Sequence, residues 1–208
     1  MSASPTSSGI QGLQTVSSGA SEFNAIEFLV RSIFSRVATT TLVKVIACTN
    51  SGGVSPVGFV DITPLVNQLD GDGNAVPHGT IFHCPYQRIQ GGANAVILDP
   101  QAGDIGVAIF ASRDISGVIA NKGRSNPPSG RTFDMADALY LGGFLNGTPT
   151  QFIEFSDSGI TITTPNALTI NAPTTTFNGK VIANGHRIDE THTHGGITPG
   201  SSNTAPVT

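Results

Sequence analysis

ITITTPNA at residues 160–167 is followed directly by LTINAPTT at 168–175, which sets Ile160 over Leu168, Thr161 over Thr169, Ile162 over Ile170 and Pro165 over Pro173. This is an eight-residue repeat. From Ser158 through Gly179 no residue is charged, and 12 of the chain's 23 threonines fall in its last 48 residues, a composition that favours extended strands with hydroxyls outward. Each unit offers only two large apolar side chains on one face, with proline where a corner forms. So sparse a ribbon cannot bury a core alone. Stacked short strands solve the problem as a β-helix or solenoid, and a repeat this narrow needs sister chains to close its interior. Three intertwined copies forming a β-prism are the simplest closed, symmetric arrangement, with Ile160, Ile162, Leu168, Ile170 and Val181 inside.

Thr191-His192-Thr193-His194-Gly195 comes directly after this region. On a strand, residues two apart face the same side, so both imidazoles point one way and both threonines the other. Two ligands alone make a weak metal site. Where three chains wrap around an axis with these imidazoles inward, six nitrogens converge in an octahedral shell, which suits Fe(II), Ni(II) or Co(II) better than four-coordinate Zn(II). The plainer reading is a pair of solvent-exposed histidines in a polar tail.

Upstream, short apolar segments alternate with turn residues between about Thr41 and Ala120: TLVKVIAC, Ser51-Gly52-Gly53, VGFVDITPLV, Asp70-Gly71-Asp72-Gly73-Asn74, GTIFHC, NAVILD and DIGVAIFA. Five or so strands with glycine-rich turns predict a small barrel or sandwich, and the count suits an OB-type barrel. NKGRSNPPSG at 121–130 reads as an exposed loop after it. Before it, Ile26, Leu29, Val30, Ile33, Phe34 and Val37 recur at three- and four-residue spacing, which predicts an amphipathic helix ending near Ala38. Asn24 and Glu27 fit a capping box at its start. Residues 1 to about 20, rich in Ser, Gly, Thr and Ala, read as a flexible arm.

The whole composition agrees with a folded, mainly β protein. Leu, Ile, Val and Phe total 55 of 208 residues, above the range of disordered chains, while only 12% of residues are charged. A net charge of −4 argues against nucleic acid as a partner, because polyanion binding needs a basic face. No apolar run is long enough to span a bilayer, and MSASPTSSGIQG lacks the layout of a signal peptide, so a protein made without a secretion tag is expected. Two cysteines, Cys48 and Cys84, exclude a disulfide framework and read as buried thiols.

Other chemistry-bearing candidates are weaker. Asp70-x-Asp72-x-Asn74 resembles the start of a calcium loop, but Ala75 stands where glycine is required and Ile81 where glutamate is; a hairpin turn is the plainer reading. His78, His83 and Cys84 hint at zinc, yet neighbours on a strand face opposite sides. Asp134 and Asp137 form a possible acid pair beside turn and helix-end roles. No GxSxG, HExxH, P-loop or GxGxxG occurs, so an enzyme finds no support in the sequence.

VKVIACTN (43–50), PVGFVDITPLVNQLDGDGNAVPHG (56–79), QGGANAVILDPQAGDIGVAIFASRDIS (90–116), FDMADALYLGGFLNGTPTQFIEFSDSGI (133–160) and THTHGG (191–196) together resemble the central spike, or membrane-piercing, proteins of contractile-tailed bacteriophage baseplates. The resemblance covers most of the chain from residue 40 onward. It implies a homotrimer with an N-terminal OB-fold docked on the tail hub protein and a C-terminal triple-stranded β-helix, with the host outer membrane as mechanical target. It further implies one iron ion (Fe2+ or Fe3+) per trimer, held by His192 and His194 of each chain. The expected divisions are an arm and helix over 1–40, the barrel over 41–120, a connecting region over 121–151 and the spike over 152–208. The expected location is the tip of the virion's tail baseplate, after synthesis in the host cytoplasm. Competing readings are a baseplate-associated module that binds a surface glycan or a protein, and a tail-associated hydrolase.

Overall fold

A computed structural model of the protein describes residues 16–70, 73–188 and 200. The chain divides into two compact units, Met1–Thr148 and Pro149–Thr208. Both are built mainly from strands.

The first unit opens with a 3₁₀ turn, Val16–Gly19, and helix α1, Glu22–Phe34. The turn replaces part of the expected arm; the rest of that arm lies outside the described residues. The helix starts three residues earlier than the capping box predicts, because Ser21 is its cap: the Ser21 hydroxyl accepts from the Asn24 amide at 3.2 Å. Asn24 instead donates through its side chain to the Ser17 carbonyl, and Glu27 pairs with Arg31 at 2.7 Å. At its other end the helix stops at Phe34, short of Ala38. Arg36 and Val37 make tighter i→i+3 bonds to Ile33 and Phe34, and the Ala38 amide then donates to the Phe133 carbonyl, which pulls the chain out of the helical path.

The strands follow in order: β1 (Thr40–Cys48), β2 (Phe59–Pro64), β3 (Gln68–Leu69), β4 (Ala75–Val76), β5 (Ile81–Pro85), β6 (Ile89–Gly91), β7 (Asn94–Val96) and β8 (Ile105–Phe110). A short helix α2 (Ser116–Asn121), a 3₁₀ turn (Met135–Asp137) and β9 (Ala138–Leu141) complete the unit. Five of these strands make one curled antiparallel sheet in the order β5-β2-β1-β8-β9. Its two edges approach one another at a parallel bridge between Tyr86 and Tyr140, where the Gln87 amide donates to the Tyr140 carbonyl at 3.0 Å. The fifth strand, β9, comes from the span expected to connect the barrel to the spike, while NAVILD contributes only to the separate β6–β7 hairpin.

Alternation decides the core. In β2 every second residue from Val60 is buried, and in β8 every second residue from Gly106, so these strands turn one face inward as period-two patterning requires. Val43, Val45, Val60, Ile62, Ala108 and Tyr140 form the centre. Gly106 lets the Tyr140 ring lie across β8; a Cβ there would strike that ring and the Leu141 carbonyl. Two bulges bend the sheet, one between Val45 and Ala47 and one between Ile81 and Cys84.

The second unit is different in kind. Hairpin β10–β11 (Phe152–Ser156 and Gly159–Thr163) and hairpin β12–β13 (Val181–Ala183 and His186–Ile188) are its only regular elements among the described residues. Its first repeat unit, ITIT, is strand; the second, Leu168–Thr175, forms no strand. No described side chain of this unit is buried.

Candidate functional site

The register of β10–β11 sets Ile153 opposite Ile162 and Phe155 opposite Ile160. Because residues two apart share a face, these four side chains form one continuous apolar patch. They remain 60%, 56%, 75% and 66% exposed, respectively. Leu168, Ile170, Phe177 and Ile182 are also exposed further along the unit. A two-stranded hairpin is at best marginal in water, and a patch of large apolar groups costs about 25 cal/mol for every Å² left uncovered. This unit therefore presents an uncovered apolar face. Of the five residues expected to line a prism interior, Ile160, Ile162, Leu168 and Ile170 are exposed and Val181 is half-buried in the single chain. His192 and His194 lie outside the described residues. Elsewhere among the described residues, no three His, Cys, Asp or Glu side chains come together as a metal site.

The other sequence candidates take structural positions. Asp70 accepts from the Asn74 amide at 2.8 Å and from its side-chain nitrogen at 3.0 Å, tying the turn between β3 and β4; Asp72 lies outside the described residues. His83 is the extra residue of the β5 bulge and has φ +61°, so two outward residues, Phe82 and His83, stand between buried Ile81 and Cys84. Strict alternation fails there because of the bulge. The His83 amide, freed from the ladder, donates to the Asp61 carboxylate at 2.9 Å, and its ring stacks on Phe59 at 3.7 Å. Cys84 points into the core, where burial foremost and nearby Asp61 push its thiol up to about 12, so it stays protonated and is a poor metal ligand. His78 lies in an open groove of about 550 Å³ beside Thr39–Thr41, Phe110 and Asp134, in which Arg36 is the one further ionisable side chain. That set holds no nucleophile paired with a base.

Two charged clusters, unforeseen in the sequence, hold the long connections of the first unit. Arg88 and Asp99 flank hairpin β6–β7 and meet at 2.6 Å. Tyr86 donates to the same carboxylate at 2.5 Å, Arg88 donates to the Ser55 carbonyl at 2.6 Å, and the Gly52 amide donates to the other oxygen of Asp99 at 3.0 Å. The Tyr86 hydroxyl foremost, aided by Arg88 and the Gly52 amide, holds the Asp99 carboxyl below its usual range, while burial pushes the Tyr86 phenol up. The second cluster fastens the connection from β8 to β9. Arg131 grips Asp137 through two nitrogens, each at 3.1 Å, and reaches Asp114 at 3.0 Å. Asp137 also accepts from the Ile115 amide, so it is a clasp rather than half of an acid pair; Asp134 caps the 3₁₀ turn by accepting from the Ala136 amide at 2.8 Å. Asp114 is lowered to about 2, chiefly by the Ser116 hydroxyl, then by Ser129 and the Ser116 amide.

A comparison with known protein families finds no match, and a comparison with curated proteins finds none either.

Proposed function

We propose that this chain is the central spike of a contractile phage tail baseplate, acting mechanically rather than as a catalyst. Three copies would place their N-terminal units as a collar on the tail hub and intertwine their C-terminal units into a needle that pierces the host outer membrane when the sheath contracts. The observation that carries this reading is the exposure of the second unit: hairpins with a continuous apolar face and no buried side chain would need other chains to finish them. Leu168–Thr175, without a strand partner, has backbone groups available for the same purpose. The first unit supports an OB-type barrel: five short strands, antiparallel except for one parallel contact that joins the third strand of the sheet, by chain order, to the fifth. No helix among the described residues is long and apolar enough to cross a membrane, so the force for entry would come from the contracting sheath.

The donor set at the end of the chain suits the iron implied by the resemblance. Three pairs of His192 and His194 would supply six imidazole nitrogens, and iron bound only to the assembled state would stabilise it by linkage. Native mass measurement tests the reading: a particle of about three times 21.4 kDa that carries iron is expected, and a monodisperse monomer overturns it. Saturable binding of a glycan or protein that survives removal of residues 152–208 would instead establish a binding module.

A further inference from the structure

Helix α1 carries a second uncovered apolar face, distinct from that of the hairpins. Phe23, Ile26, Val30 and Ile33 follow one another at intervals of three, four and three residues, the a and d spacing of a heptad. Leu29 and Phe34 flank them at the g and e positions. All six side chains are between 43% and 73% exposed. The least exposed positions, Asn24, Phe28 and Ser32, lie on the opposite face, where Asn24 bonds the Ser17 carbonyl of the preceding 3₁₀ turn. The helix thus already uses its back, and its seam is what remains open.

We infer that this seam packs against the same helix of two further copies, forming a parallel three-helix bundle. The side chains choose both the occupant and the number. A 3-4-3 apolar spacing fits the holes of a helix with the same spacing, so a second copy of this chain is the natural complement. Parallel two-stranded coils favour leucine at d, whereas isoleucine at that position shifts preference to three or more strands; here both d residues, Ile26 and Ile33, are β-branched. Apolar residues at e and g widen the seam to four of seven positions, which two helices cannot cover. Glu27 and Arg31 pair within their own helix, so the charged flank needs no partner. At 13 residues the helix has fewer than two heptads, too short to trimerise unaided, so the bundle rests on the trimer proposed above to bring the helices together.

Cysteine cross-linking in the full-length chain tests it. Val30→Cys sits at the seam, and Arg31→Cys sits one residue away on the flank. Mild oxidation is expected to link neighbouring copies through Val30→Cys at least about tenfold more than through Arg31→Cys or in the unsubstituted protein, leaving one chain in three unlinked. Ile33→Cys, in the next layer, gives an independent reading of the same seam. A native mass of three copies with no selective linkage at either seam position overturns the bundle and leaves the spike reading intact. A monomeric mass overturns both.

Discussion

Arg88 and Asp99 lie at opposite ends of the β6–β7 hairpin yet meet at 2.6 Å with both side chains 2% exposed, so one ion pair pins the base of that hairpin and, through Ser55 and Gly52, the loop between β1 and β2. Burial makes the pair sensitive to one-sided change, since a lone buried charge costs far more than the pair contributes.

Arg88→Met should therefore lower the melting temperature by roughly 10 °C, and Arg88→Met with Asp99→Leu should recover part of the loss. Tyr86→Phe, which deletes one hydroxyl donor to the carboxylate, is expected to cost about 1–2 kcal/mol. Thermal melts of the variants check the order; a double variant less stable than Arg88→Met would contradict this account of the clamp.

Acid should weaken the first unit in a defined window. The Asp114 carboxyl is held at about 2 against an ordinary 3.8, so the folded form favours its ionised state. The stability this contributes is present above pH 4 or so and is lost as the pH falls toward 2. Ser129→Ala removes one of its donors and is expected to shift that loss to higher pH, read as the acid-unfolding midpoint. An unchanged midpoint would show that Ser129 contributes nothing.

Alkali and thiol reagents report on the core. With Cys84 pushed up to about 12 from 9.0, the unfolded chain loses its proton first, so stability falls as pH rises from 9 toward 12. Below pH 9 the thiol should resist alkylation in the native protein and react at the ordinary rate in denaturant, as followed by mass spectrometry. Rapid labelling of native Cys84 would show that the site opens.

If three copies hold iron as proposed above, replacing His192 and His194 with alanine together should remove it and lower the melting temperature of the trimer while the first unit keeps its own transition. Elemental analysis and calorimetry read the two effects. Iron content equal to that of the parent protein would remove the histidine pair from consideration.

The parts of the fold that were legible in the sequence are those where one local period dominates. TLVKVIAC, VGFVDITPLV, GTIFHC and DIGVAIFA each cover all but at most one residue of a strand of the main sheet, because alternation against a one-sided core leaves its mark on the chain. ALYL was missed as the fifth strand: it is short, and its inward residues, Ala138 and Tyr140, do not look like a β-sheet pair until Gly106 is seen to make room for the ring. The charged clasps left no local signal either, since Arg88 and Asp99 are 11 residues apart and Arg131 and Asp114 17. At the hairpin, by contrast, the repeat marked one strand and not two: Ile160 and Ile162 share an apolar face on β11, while Leu168 and Ile170 lie in a stretch with no strand.

The missing ladder over Leu168–Thr175 bears on how such a trimer would be made. On the reading proposed above, a copy whose Leu168–Thr175 stretch has no ladder and whose neighbouring side chains face water would offer proteases an accessible substrate until its sister chains arrive. Digestion would then act as a form of quality control, clearing orphan copies while sparing completed trimers.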